Sequence, residues 1–139
     1  MQNGNSVLIV GGYGVVGQQI ARLIRQRHPD LAIALGGPNP AKAESLASEL
    51  GNARSIRIDV EQARPLQEFT PRAIINAVND PRDQLLMDAV RRGIPLVDIT
   101  RWTDRFRAAL KTTRSASAAR TANSGTRQSC QVRTTSTTA

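Results

Sequence analysis

The chain has 139 residues, 40% of them hydrophobic and 3% aromatic, with a single cysteine and a formal net charge of +8. That length suits one domain with a real core, and no apolar run reaches the roughly 20 residues of a membrane helix. The start does not read as a signal peptide, and Cys130 alone excludes an internal disulfide framework and a cysteine metal cluster, so a cytoplasmic protein without a metal site is expected. The positive charge is unevenly spread: residues 1–110 carry 14 basic and 11 acidic side chains, whereas residues 111–139 carry 5 basic and none acidic. The folded part therefore has an ordinary mixed surface, and with so few aromatic residues for base stacking no nucleic-acid partner is expected.

In chain order, Val7, Leu8, Ile9 and Val10 form a continuous apolar run, as a parallel strand buried on both faces requires. It leads directly into Gly12-Tyr13-Gly14-Val15-Val16-Gly17, which fits G-x-G-x-x-G, and then into a helix. Each glycine has its own task in such a turn: Gly12 the tight bend, Gly14 close approach of the backbone to a phosphate, Gly17 close packing of helix on strand. The helix N-terminus then offers unpaired N–H groups and the positive end of its dipole to a dinucleotide pyrophosphate. Val16, Ile20, Leu23 and Ile24 recur at helical spacing, with Gln18, Gln19, Arg22, Arg25 and Gln26 on the polar side. His28, before Pro29, marks the end of this helix, where a cation suits the dipole.

A second apolar strand, Leu31 to Leu35, is followed by Gly36-Gly37-Pro38 as a loop. Asn39 and Pro40 give the cap and first residue of a second helix, whose buried stripe is Ala43, Leu46, Ala47 and Leu50 and whose stop is Gly51. Ile56, Ile58 and Val60 alternate with Arg57 and Asp59 in a third strand with a more exposed face. Ala73 to Val78 reads as a fourth strand, Asp80-Pro81 as another helix start, Leu85, Leu86, Ala89 and Val90 as the inward face, Gly93 as the stop and Leu96 to Ile99 as a fifth strand. Strands alternating with helices predict an α/β fold, a Rossmann-like parallel sheet of about five strands with flanking helices over residues 1–110. The 29 residues from Lys111 onward, rich in Thr, Ser and Ala, predict a disordered tail: either a flexible basic extension or the product of a reading frame lost near Leu110.

The glycine turn Gly12 to Gly17, Asn39-Pro-Ala-Lys-Ala-Glu44, Ala73-Ile-Ile-Asn-Ala-Val78 and Ala89-Val-Arg-Arg-Gly-Ile-Pro-Leu-Val-Asp98, in this order, resemble the saccharopine dehydrogenase-like family in its N-terminal NAD(P)-binding domain. The resemblance covers roughly residues 6–104. It implies an NAD(P)-dependent oxidoreductase whose substrate domain has no counterpart here, so the expectation is a truncated cofactor-binding domain, inactive as an isolated chain. A non-catalytic dinucleotide-binding or regulatory module is the alternative. Gly11, Gly14 and Gly17 also fit the short-chain dehydrogenase turn, but that family needs Tyr-x-x-x-Lys and the sole tyrosine, Tyr13, lies in the turn itself.

The expected cofactor site comprises Gly12, Tyr13, Gly14, Val15, Val16 and Gly17, with Asn39, Lys42, Asp59, Asn76, Ala77 and Val78. The end of the second strand lacks the carboxylate that holds an NAD ribose diol, and the family often has Arg where this chain has Pro38. Asn39 as a donor and Lys42 as a point charge therefore favour NADP over NAD modestly. Asp59 resembles the acidic residue near the adenine edge, and Asn76 to Asn79 are expected beneath the nicotinamide ribose. Asp98 resembles a position near the family's cleft, but one carboxylate without a located partner defines no acid-base pair. Trp102 and Phe106 read as packing residues at the open end of the sheet. Catalytic residues and oligomeric state are not assigned.

Overall fold

The computed structural model describes residues 3–67, 69–100 and 103–127. Five parallel strands, β1 (Ser6–Val10), β2 (Ala32–Gly37), β3 (Ala53–Arg57), β4 (Ala73–Asn76) and β5 (Leu96–Asp98), lie in the order β3-β2-β1-β4-β5. Between them run α1 (Val15–Arg27), α2 (Glu44–Leu50) and α3 (Gln84–Arg92), and α4 (Thr103–Arg127) follows β5. The register places Ile9 beside Leu35 and Ile75, so the apolar centre of β1 is flanked on both edges. This is the Rossmann-like sheet that the alternation of patterns predicts. The strand order reverses between β1 and β4, where such sheets hold ligands beyond the strand C-termini.

Side chains alternate across the sheet and divide the core in two. Leu8, Val10, Ala34 and Ile74 pack with Ile58, Leu66, Phe69, Leu85 and Ala89 on the α3 side. Ile9, Ile33 and Leu35 pack with Ala21, Ala43, Leu46, Ala47 and Leu50 on the side of α1 and α2. The stripe of α1 is rotated one position from the one its apolar spacing suggests: Gly17 and Ala21 are buried, whereas Val16 and Leu23 are about half exposed. Small residues win that face because α1 sits tightly against the turn that precedes it. Arg25, expected on the solvent face, instead donates to the carbonyls of Leu50 (2.9 Å), Gly51 (2.7 Å) and Asn52 (3.1 Å), satisfying the end of α2. Arg22 pairs with Glu49 at 2.9 Å between the same two helices.

Several boundaries differ from expectation. β2 runs on through Gly36 and Gly37, which were expected in a loop, because Gly37 still pairs with Arg57 of β3. Pro40–Ala43 forms a 3-10 turn before α2, and the Asn39 side chain makes no cap bond. β3 lies at Ala53–Arg57, three residues earlier than its alternation suggests. Ile58 continues inward beyond it, its N–H donating to the Gly37 carbonyl at 2.9 Å. Asp83 adopts a left-handed conformation (φ 56°), which delays α3 to Gln84. Asp80 nonetheless supplies the capping carboxylate, accepting from the N–H groups of Gln84 (3.0 Å) and Leu85 (2.9 Å).

Within the segment expected to be a tail from Lys111, α4 continues over residues 111–127. Ala, Lys and Arg favour helix through local backbone bonds alone, without an apolar stripe. Thr113 and Ser115 hydroxyls add bonds to carbonyls four residues back. At its start the helix is anchored by buried Ala109. Residues 128–139 with Cys130, and Trp102, lie outside the described residues. Phe106 is 53% exposed. Among the described residues no helix is long and apolar enough to cross a membrane, and no His, Cys, Asp and Glu cluster could hold a metal ion.

Candidate functional site

The C-termini of β1, β2 and β4 and the segments following them converge on one mouth. The tight bend expected of Gly12 falls on Gly11, which has φ +79°, a left-handed conformation that glycine adopts without strain. Its N–H donates to the Gly36 carbonyl at 2.8 Å, tying the turn to β2. Gly14 N–H then donates back to the Gly11 carbonyl at 2.9 Å. Gly17 packs where expected: a Cβ there would stand 2.8 Å from both the Gly11 carbonyl carbon and Gly12 Cα. No side chain fits between α1 and the turn.

Gly14 caps α1 with no side-chain bond, and Gln18 N–H is the first helical donor, reaching the Gly14 carbonyl at 2.9 Å. The N–H groups of Val15, Val16 and Gly17 make no backbone bond among the described residues. Three donors stand at the positive end of a 13-residue helix, with Gly14, Val15 and Val16 exposed, an arrangement whose chemistry suits an anion.

Beside the turn lies a cleft of about 410 Å³ lined by Val10, Gly11, Gly37, Pro38, Ile58, Asp59, Val60, Glu61 and Val78. It brings together two residues of the sequence-based site, Asp59 and Val78, with the start of the glycine turn. The Asp59 carboxylate is engaged locally, accepting from Glu61 N–H at 3.0 Å. Asn76 is buried and works from below: its Nδ2 donates to the Val78 carbonyl (2.9 Å) and to Asp98 Oδ2 (3.1 Å), while its Oδ1 accepts from Val78 N–H (3.3 Å). It thus shapes the loop that carries Ala77 and Val78, and Ala77 N–H donates to the Val10 carbonyl at 2.9 Å. Thr100 completes this network, its N–H donating to Asp98 Oδ1 at 2.9 Å. Lys42 is exposed in the 3-10 turn, and neither it nor Asn39 lines the cleft.

Sequence reasoning missed the Asp98–Asn76–Thr100 network and the reach of Tyr13 to Asn39, whose N–H donates to the phenol oxygen at 3.3 Å. Both join residues more than twenty positions apart through polar atoms that carry no periodicity. The combination that could have pointed to the second is an aromatic residue in the turn and a glycine at the end of the next strand.

A sequence profile of the saccharopine dehydrogenase NADP binding domain family matches residues 7–134. The chain belongs to this family. No curated protein matches it. Among solved structures it is similar to apo histidine-tagged saccharopine dehydrogenase (L-Glu forming) from Saccharomyces cerevisiae, with a TM-score of 0.64 and 20% identity over 76% of this chain and 24% of that one. Weaker likenesses are the Bordetella bronchiseptica enzyme WbmG in complex with NAD and UDP (TM-score 0.48, 19% identity, 66% of this chain and 36% of that one) and serine dehydrogenase from Escherichia coli (0.47, 15%, 66% and 60%). The yeast likeness shows the fold, and this chain spans about a quarter of that protein's length. Membership in the NADP binding domain family supports a nicotinamide dinucleotide as the cofactor, and the glycine turn, helix terminus and cleft fit one.

Proposed function

We propose that this domain holds NADPH in preference to NADH for a saccharopine dehydrogenase-like oxidoreductase. The observation that carries the reading is the set of amides of Val15, Val16 and Gly17 without backbone partners, on the helix that follows the glycine turn whose Gly11 lines the cleft. In it the pyrophosphate lies on the turn from Gly12 to Gly17, the adenosine half extends toward Gly37, Asn39, Lys42 and Asp59, and the nicotinamide half passes Ala77 and Val78 on the loop that buried Asn76 holds from below. When bound, the nicotinamide supplies hydride chemistry; this chain's residues bind and orient it. The preference for NADPH is supported by the lack of a carboxylate at Gly36, Gly37 or Pro38 and by the nearby positive charge of Lys42.

Gly14→Asp tests the reading. A Cβ at Gly14 meets only the Gly11 carbonyl oxygen, at 3.2 Å, which must give by a few tenths of an ångström, and φ is −74°, ordinary for any residue. A carboxylate against the pyrophosphate should abolish NADPH binding followed by cofactor fluorescence while leaving the melting curve near wild type. Equal affinity in the two proteins would sink the assignment.

A further inference from the structure

Tyr13 stands inside the glycine turn, yet it is half-buried while Gly14, Val15 and Val16 after it are exposed. Its ring lies across the end of β2. An ideal Cβ on Gly37 would be 2.5 Å from the Tyr13 hydroxyl oxygen and 2.6 Å from Cζ, so any side chain at position 37 must displace the ring. Two hydrogen bonds hold it there. Asn39 N–H donates to the phenol oxygen at 3.3 Å, and Gln18 Nε2 donates to the Tyr13 carbonyl at 2.9 Å, fixing the backbone from which the ring projects.

Gly37 is the last residue of β2 and lies about 20 residues beyond the final glycine of the turn, the place from which a ribose-binding carboxylate projects in NAD-binding folds. Here that place has no side chain of its own, and the polar group occupying its space is a phenol. The phenol oxygen accepts from Asn39 through a lone pair and keeps its own proton to donate; among the described residues no acceptor takes it. A 2′-phosphate is an anionic acceptor for such a proton. A 2′-hydroxyl gains less, since water offers it an equivalent bond.

We infer that Tyr13 is the cofactor-specificity residue of this domain: its ring fills the space of the missing ribose-binding carboxylate at Gly37, and its hydroxyl donates to the 2′-phosphate of NADPH. This rests on the reading of the cleft as a dinucleotide site, and goes beyond it by assigning the discrimination to a residue of the phosphate turn. Lys42 adds charge without setting the geometry.

The test measures NADPH and NADH dissociation constants by fluorescence for the 139-residue protein, Tyr13→Phe and the double variant Tyr13→Ala/Gly37→Asp, with circular dichroism to confirm folding. Tyr13→Phe keeps the ring and loses only the hydroxyl. It should weaken NADPH about tenfold, the value of one hydrogen bond to a charged group at a partly open site, and leave NADH within about twofold. The double variant, with the ring removed and a carboxylate in its place, should bind NADH more tightly than NADPH. An unchanged ratio of the two affinities in folded Tyr13→Phe overturns the inference even if the double variant is unstable. Failure of the wild type to bind either cofactor refutes the dinucleotide reading itself, and the inference with it.

Discussion

Replacing Gly17 by alanine sets helix propensity against packing, and the structure decides the sign. Alanine is favoured over glycine by up to about 1 kcal/mol in a helix. Against that, the new methyl would sit 2.8 Å from the Gly11 carbonyl carbon and from Gly12 Cα, with the Gly11 carbonyl oxygen nearer still. Carbon atoms pack at about 3.5 to 4.0 Å, so α1 must withdraw from the turn by about 1 Å. The atoms in the way are backbone and have no rotamer to escape into. Overpacking of a close-packed site costs about 1 to 3 kcal/mol, and the upper end applies here. The net expectation is a loss of about 1 to 2 kcal/mol, which for a domain of this size lowers the thermal midpoint by roughly 3 to 10 °C. Far-UV circular dichroism melts of wild type, Gly17→Ala and Gly14→Ala provide the comparison. Gly14→Ala, with one contact at 3.2 Å that a shift of a few tenths of an ångström relieves, should lose much less than Gly17→Ala. A Gly17→Ala protein as stable as wild type, or more stable, would refute the close-packing argument and leave propensity as the governing term.

Four further outcomes are expected. Asp80→Ala leaves the half-buried N–H of Gln84 and the buried N–H of Leu85 without their acceptor and should cost about 2 kcal/mol in urea unfolding at unchanged m, with Asp80→Asn recovering part; a loss under about 0.5 kcal/mol would contradict the capping role. Lys42→Ala should lower NADPH affinity more than NADH affinity, by about 1 kcal/mol or less for an exposed charge, and equal losses would remove Lys42 from the phosphate site. The hydrogen bond from Arg22 holds the Glu49 carboxyl below the usual carboxylate range, so their contribution is present above that range and fades as pH falls through the lowered value. The stability gap between wild type and Glu49→Gln should therefore shrink in acid and in salt; a gap constant with pH would show that the charge is not involved. Removing residues 116–139 keeps buried Ala109 and half-buried Thr113, and should shift the melting midpoint by less than about 2 °C; a larger loss would show that the distal part of α4 or the residues after it pack on the sheet.

What was legible in the sequence was whatever repeats or punctuates. The apolar runs of β1 and β2, the Gly93 stop and the turn from Gly12 to Gly17 each follow from a local rule, and together they gave the parallel sheet. Local rules misplace features that depend on a neighbour. β3 lies earlier than its alternation because pairing with β2 sets its register, ending with Gly37 beside Arg57, so that Ile58 reaches the core beyond the last ladder residue. Asn76 looks like a ligand because polar residues at a strand end usually face solvent, whereas here its side chain is consumed by Val78 and Asp98. Gly36 and Gly37 look like a flexible loop because two glycines in a row favour one. At Gly36, however, a Cβ would meet Ile58 Cγ1 at 2.9 Å and Leu8 Cδ1 at 3.0 Å, so its lack of a side chain is a demand of the core. At Gly37 the demand comes from a ring 24 positions earlier in the chain. A missing side chain becomes readable only through the atom that takes its space, which is why the absence of a carboxylate after Leu35 could be seen in the sequence while the phenol standing in its place could not.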